Sequence, residues 1–258
     1  MTPETYQQTK TALLALGGQR VWSLMVTIFG DLAQPEGSTI DGPVLSAIMA
    51  EVDVRPEAVR VALHRLRNDG WIASQKQGRT RRHALTLTSR EETLQASARI
   101  YASPTDREAN WQLILLEDSS TLTRDEMALR GFTPVLPRVY LGGPNACAPT
   151  SALTVNGNAA PSWLRQQMAP QMLEDEYSAL IPVLQNVERA LSHNRPNHLQ
   201  TAVLRCLIVH NWRRIVLRHP ALPLTLLPEK WAGQRCHVLV DKLLRDLPRP
   251  PLSHILPS

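Results

Sequence analysis

The sequence predicts an α+β protein in three parts: a winged helix-turn-helix over residues 1–103, a ferredoxin-like α+β layer over 104–165 and a helical block over 166–258. Three observations carry this. A basic amphipathic helix, "RPEAVRVALHRLRNDG", is followed at once by a hairpin pattern with a basic turn. Short apolar runs then recur in strand–helix–strand–strand order. From Pro161 onward the apolar spacing is helical.

The first part opens with an apolar helix from Gln19 to Ala33. A second helix follows in "TIDGPVLSAIMAEVDV", with Asp41 or Thr39 as its cap. In the third, residues 55–70, Pro56 suits the first turn and Gly70 the stop. "WIASQKQGRTRRHALTLT" reads as two strands about Gly78, which tolerates positive φ, with Leu85 and Leu87 on one face. "SREETLQASARIYA" is a connecting helix, with Ser89 as cap and Glu92 at capping-box spacing.

In the middle part "NWQLILLE" is a buried strand, "TRDEMALRG" a short helix, and "TPVLPRVYLGG" and "ALTVNG" two further strands. Three helices are expected beyond it, in "PQMLEDEYSALIPVLQNVERALS", "PNHLQTAVLRCLIVHNWRRIVLRHP" and "AGQRCHVLVDKLLRDL". Pro248, Pro250, Pro251 and Pro257 make the tail an irregular surface segment. No internal repeat is visible.

Charge is placed unevenly. Between Arg55 and Arg90 nine basic residues face only Glu57 and Asp69, a local +7 against +5 for all 258 residues. A basic zone on a near-neutral remainder suits a phosphate-bearing partner, since released counterions supply affinity. Three widely spread cysteines, Cys147, Cys206 and Cys236, argue against a disulfide framework and for a reducing compartment. "VWSLMVTIFG" is too short to cross a bilayer and lacks a small-residue cleavage site. The expectation is a cytoplasmic protein with no membrane partner and no cofactor.

The basic helix has two faces. Val59, Ala62, Leu63 and Leu66 fall at i, i+3, i+4 and i+7, a core-facing stripe. Arg60, His64 and Arg67 fall at i, i+4 and i+7 on another side. An apolar back and a cationic front fit the second helix of a helix-turn-helix, laid in the major groove. Arg55, Arg60, Val61 and His64, toward its N-terminus, are candidates for base readout, because arginine pairs bidentately with guanine and a valine methyl touches thymine. Arg65 and Arg67 are candidates for phosphate contacts. Lys76, Arg79, Arg81 and Arg82 gather near the Gly78 turn like a wing along the adjacent backbone.

"RVWSLMVTIFGDLA", "IDGPVLSAIMAEVDVRPEAVRVALHRLRNDGWIASQKQGRTRRHALT" and "SARIYA" closely resemble the N-terminal region of the PaaX-like phenylacetate-catabolism repressors. "VHNWRRIVLRHPALPLTLLPEKWAG" is similar to that family's C-terminal domain. The resemblance implies a dimeric repressor of an aromatic-acid catabolic operon that binds a double-stranded DNA operator. It also implies release by an acyl-CoA thioester, phenylacetyl-CoA in the type case. Such an effector needs an apolar cavity with cations at its mouth. Arg213, Arg214, Arg218 and His219 supply cations on one helix, and His210 points inward with Cys206 and Val203. Trp212, Arg138 and Tyr140 complete the candidate set.

Two other readings compete. Cys206 with His210 and Cys236 with His237 offer ligands for a metal-responsive regulator, although adjacent residues diverge on a helix. Glu117, Asp118, Asp125 and Glu126 offer carboxylates for a divalent-metal nuclease of ferredoxin-like type. Against an enzyme, there is no nucleophile elbow, no glycine-rich phosphate loop and no H-E-x-x-H.

Overall fold

The computed structural model describes residues 1–18, 20–105, 109–117, 124–193 and 195–255. Helix α1 (Pro3–Ala15) comes first, capped by Thr2. Two of its four buried residues, Thr9 and Lys10, are polar, so no clean apolar stripe announces it in the sequence. Helix α2 (Val21–Leu32) buries residues around most of its circumference. A two-residue strand β1 (Ile40–Asp41) leads into α3 (Gly42–Glu51), α4 (Pro56–Asn68), β2 (Ile72–Gln77), β3 (Thr80–Leu85) and α5 (Leu87–Ile100). The three strands form an antiparallel sheet in the order β1-β3-β2.

Of two expected caps, one stands in place without its bond and the other is displaced. Asp41 stands at the N-cap of α3 but makes no side-chain cap bond. Its carboxylate instead accepts from Arg82 Nε at 2.9 Å. Helix α5 is capped by Thr86, whose Oγ1 accepts from the Ser89 backbone N–H at 3.3 Å. Ser89 turns its own hydroxyl to the Trp71 carbonyl, which takes it out of competition for the cap. The strand therefore stops at Leu85, and Leu87 is a 73 % exposed helical residue rather than a partner of buried Leu85.

The middle segment contains β4 (Trp111–Leu115), α6 (Arg124–Leu129), β5 (Phe132–Leu136), β6 (Val139–Gly142) and β7 (Leu153–Gly157). "TPVLPRVYLGG" is thus a hairpin rather than one strand, turned at Arg138 in the left-handed region, φ 64°. The antiparallel order β5-β6-β4-β7 is the one a split β-α-β arrangement produces. Residues 143–152, joining β6 to β7, form no helix. Ile114, Leu116, Met127 and Phe132 make a small core of their own between the sheet and α6.

Helices α7 (Ser162–Met168), α8 (Gln171–His193), α9 (His198–Val216) and α10 (Ala232–Asp246) follow. An Asn197–Gln200 capping box starts α9. This helix is buried almost all round and packs against α1, α2, α3, α5, α8 and α10. The main apolar core consequently runs unbroken from Tyr6 to Ile255, uniting both ends of the chain.

One ion cluster sits inside that core. Asp31 on α2 accepts from Arg205 Nε and Nη2 on α9, both at 2.8 Å. Tyr101 Oη at 2.8 Å and Arg249 Nε at 3.2 Å also donate to it. Burial by itself raises the Asp31 pKa, but the Arg205 hydrogen bonds and the Arg205 and Arg249 charges outweigh it and hold the carboxyl below its ordinary value. Removing one partner of such a pair leaves an uncompensated buried charge. Asp31→Asn is therefore expected to cost about 3–5 kcal/mol in urea unfolding, and a loss below about 1 kcal/mol would contradict this account of the core.

Candidate nucleic-acid interface

Helix α4 is anchored by its back. Val59, Ala62 and Leu66 are buried, with α2 and α3 behind them and β2 alongside. The turn from α3 is closed by Asp53 at φ 59°, with Val54 N donating to the Met49 carbonyl at 3.0 Å. Gly70, at φ 71°, ends the helix and directs the chain into β2. Arg55, Arg60, Val61, His64, Arg65 and Arg67 are all exposed. Arg55 is the N-cap, so its side chain leaves at the N-terminal end of the helix.

The local partners of these cations are weak. Arg60 lies 3.7 Å from Glu57, with both side chains more than 70 % exposed. Arg65 lies 3.5 Å from Asp69, and its guanidinium sits 5.9 Å from the centroid of the Trp22 ring. His64 Nδ1 meets Asn68 Nδ2 at 3.3 Å. Exposed ion pairs of this kind contribute about 0–1 kcal/mol and are readily exchanged for a phosphate.

The hairpin adds a second row. Gly78 takes φ 58° at the turn, with Arg79 exposed beside it. Lys76 pairs with Arg81 in register, and strand alternation puts both on the face of Ile72 and Leu85, which is the face turned toward the helices. Arg82 projects from the opposite face and pairs with Asp41. Buried His83 joins the two elements electrostatically. Its pKa is lowered first by burial and then by the Arg67 and Arg81 charges, so the end of α4 and the middle of β3 bear on one point. Arg67 and Arg81 thus both act on His83, Lys76 stands opposite Arg81, Arg79 is beside the turn and Arg82 is on the other face.

The effector candidates do not converge. Arg138 Nη1 donates to the Glu117 carbonyl at 3.0 Å at the sheet's turn, and Tyr140 packs on the small sheet core. His210 is buried between Thr27 Oγ1 at 3.2 Å and the Gly18 carbonyl at 3.4 Å. Burial, reinforced by the Arg213 and Arg214 charges, pushes its pKa from 6.5 down to about 4. Arg213 reaches Thr27, Arg214 the Gly17 carbonyl and Arg218 the Glu176 carboxylate.

Of the eight, Trp212 and His219 line the cavity of about 670 Å³ between α5, α9, α10 and residues 143–145. The Trp212 Nε1 donates to the Ile100 carbonyl at 2.9 Å, and its ring stacks on His237 at 5.3 Å. Tyr177 and Trp231 join that aromatic wall. Arg99 of α5 lines the same space and donates to the carbonyls of Val216, Leu217 and His219 at the end of α9. No local spacing links Arg99, Tyr177 and Trp231, which come from three separate segments.

Among the described residues, no three His, Cys, Asp or Glu side chains form a group able to hold a metal. His237 Nε2 meets the Ala102 carbonyl at 2.6 Å, while the Cys206 and Cys236 thiols are buried and their pKa values pushed up by desolvation. Of the carboxylates considered for a nuclease, Asp118 lies outside the described residues. No described helix is long and apolar enough to cross a membrane.

A buried helical body that exposes one cationic helix and one cationic hairpin defines the class of fold. The chain belongs to the PaaX-like protein family: that family's model matches residues 20–89, and the model of its C-terminal domain matches residues 170–255. The four-stranded sheet lies between the two matched segments. The Transcriptional repressor PaaX of Escherichia coli (strain K12) is 26% identical over 248 residues, covering 84% of this chain and 77% of that protein. A solved structure of an uncharacterized protein from Mycobacterium tuberculosis superposes with a TM-score of 0.51 at 18% identity, covering 87% of this chain and 95% of that one. That likeness is one of fold alone.

Proposed function

We propose that this chain is a cytoplasmic transcriptional repressor that binds duplex DNA as a dimer. The observation that carries the reading is the exposure of Arg55, Arg60, Val61, His64, Arg65 and Arg67 on a helix whose Val59, Ala62 and Leu66 are buried behind them. On this reading α3 and α4 are a helix-turn-helix, with α4 in the major groove and the β2–β3 hairpin as a wing on the neighbouring backbone. The name of the Escherichia coli relative supports the repressor role. Two-fold symmetry sets half-sites about one turn of DNA, or several, apart.

Residues 1–103 form the DNA-binding part on this proposal, 104–165 a middle part, and 166–258 the part that answers the effector and holds the dimer. The effector is an acyl-CoA thioester of the phenylacetyl-CoA kind, made in an aromatic-acid catabolic route. The aromatic wall of Tyr177, Trp212 and Trp231 suits its acyl end, and the Arg99 guanidinium suits its anionic handle. Because Arg99 clasps the end of α9 from α5, a ligand competing for that guanidinium alters the link between the DNA-binding helices and the rest. Release follows if the effector binds the DNA-incompetent arrangement better.

Arg60→Ala or His64→Ala is expected to cost about 1–3 kcal/mol on the operator and to relax base preference. Arg79→Ala or Arg81→Ala should weaken cognate and random duplexes alike and reduce the salt slope by about one. Equal losses from Arg60→Ala and His64→Ala on both kinds of DNA would move readout to other residues. Footprinting of the protein's own upstream region with a panel of acyl-CoAs tests the effector class. One arylacyl-CoA should erase the footprint and free coenzyme A should not; a footprint indifferent to every thioester rules the class out.

A further inference from the structure

The two acidic residues of the basic stretch stand in different places. Asp69 follows α4 and pairs with Arg65. Glu57 lies in the first turn of the helix, with its side chain 72 % exposed. At 3.6 residues per turn, Glu57, Val61, His64 and Asn68 run in one line down the side opposite buried Val59, Ala62 and Leu66. Arg60 and Arg67 flank that line on one side and Arg65 on the other. On the DNA-binding reading, the arginines therefore stand toward the two phosphate walls of the groove, and the carboxylate stands over its floor.

A carboxylate in the middle of a face that meets a polyanion is repelled unless it finds a donor. The floor of the major groove offers donors in the amino groups of cytosine and adenine. Arg60 narrows the choice, because its Nη1 lies 3.7 Å from Glu57 Oε1 and sets a guanidinium beside the carboxylate. The major-groove edge of a G·C pair presents the matching pattern: two acceptors on guanine, N7 and O6, and next to them the cytosine N4 donor. An A·T pair places its donor between its two acceptors, which a guanidinium fork does not span. We propose that Glu57 is a base-reading residue and that Glu57 and Arg60 read one G·C pair together. Arg60 donates to guanine, and Glu57 accepts from the cytosine N4 amino group. This rests on the DNA-binding reading and adds to it a specificity residue of negative charge.

The exposed Glu57–Arg60 pair is weak, so both groups turn from each other to the bases at little cost. The carboxylate also penalises every duplex that lacks the donor, and specificity is the difference between the right site and the wrong ones. A carboxylate in a first helical turn meets the helix dipole as well. That role alone would make Glu57 a stabiliser of α4 and change the binding of all sequences alike.

Selection of duplexes from a random-sequence library by the full chain, followed by titration of the selected site, tests the proposal. Glu57→Ala leaves the packed side of α4 intact and should lose a preference for cytosine at one position of each half-site, by about fivefold or more. Its affinity for random duplex should rise about twofold or more, since a negative charge leaves the face. Arg60→Ala should lose preference at that same base pair, and the double variant should lose little more there than either alone. The wild-type chain supplies a check that no folding defect can blur. N4-methylcytosine at that position, with a methyl where the groove-facing N–H was, should weaken the wild type by a similar factor and leave Glu57→Ala unaffected. Unchanged base preference in Glu57→Ala, effects of Glu57 and Arg60 at different base pairs, or indifference to N4-methylcytosine would overturn the shared readout and leave the DNA-binding reading standing. A wild-type chain that retains no duplex at all would overturn both.

Discussion

The buried carboxylate of Asp31 constrains the rest of the molecule. A charge removed from water at the back of α2 needs fixed partners, and it finds them on α9, at the end of α5 and in the tail. Four segments distant in sequence must therefore meet in one register. Helix α2 also packs against α4, so that register sets the platform on which the cationic helix rests. Apolar burial supplies most of the cohesion along α9, but it is non-directional. The Asp31–Arg205 pair selects one arrangement among those that hydrophobic contact alone would allow.

The chain handles its cations in two ways. Inside, Arg205 is matched to a carboxylate, and Arg99 and Arg214 are spent on backbone carbonyls, including those left over at the end of α9. Outside, Arg55, Arg60, Arg65 and Arg67 sit on α4 with at most solvent-screened neighbours. The first group fixes the helices relative to one another. The second is free to trade water and counterions for phosphate. A scaffold held by the first can present the second without rearranging, which keeps the ordering cost of binding low.

Much of α4 and the hairpin was legible in the sequence, because their signals are local. Val59, Ala62 and Leu66 declare a buried stripe, Gly70 and Gly78 mark backbone turns that favour glycine, and the arginines between them are rejected by any core. The same locality misled at Thr86 and Ser89, two hydroxyls equally fit to cap α5, where the choice fell to a contact with Trp71. It also hid the hairpin at Arg138, since a lone non-glycine residue in the left-handed region has no sequence signature. On α9, helical spacing correctly puts His210 inside. It is silent about the Gly17–Gly18 segment, almost two hundred residues earlier, which accepts bonds from His210 and Arg214. The Trp212 cavity is likewise assembled from α5, the sheet loop and the C-terminal helices, and no window of sequence contains it.

Hydrogen exchange on the full chain, with and without a random-sequence duplex at low salt, tests the central claim most directly. The account predicts that protection appears in residues 55–82, on α4 and the β2–β3 tip, while the exposed strand β7 and the outer face of α8 exchange as before. Protection concentrated on β7 or α8, with residues 55–82 unchanged, would contradict it.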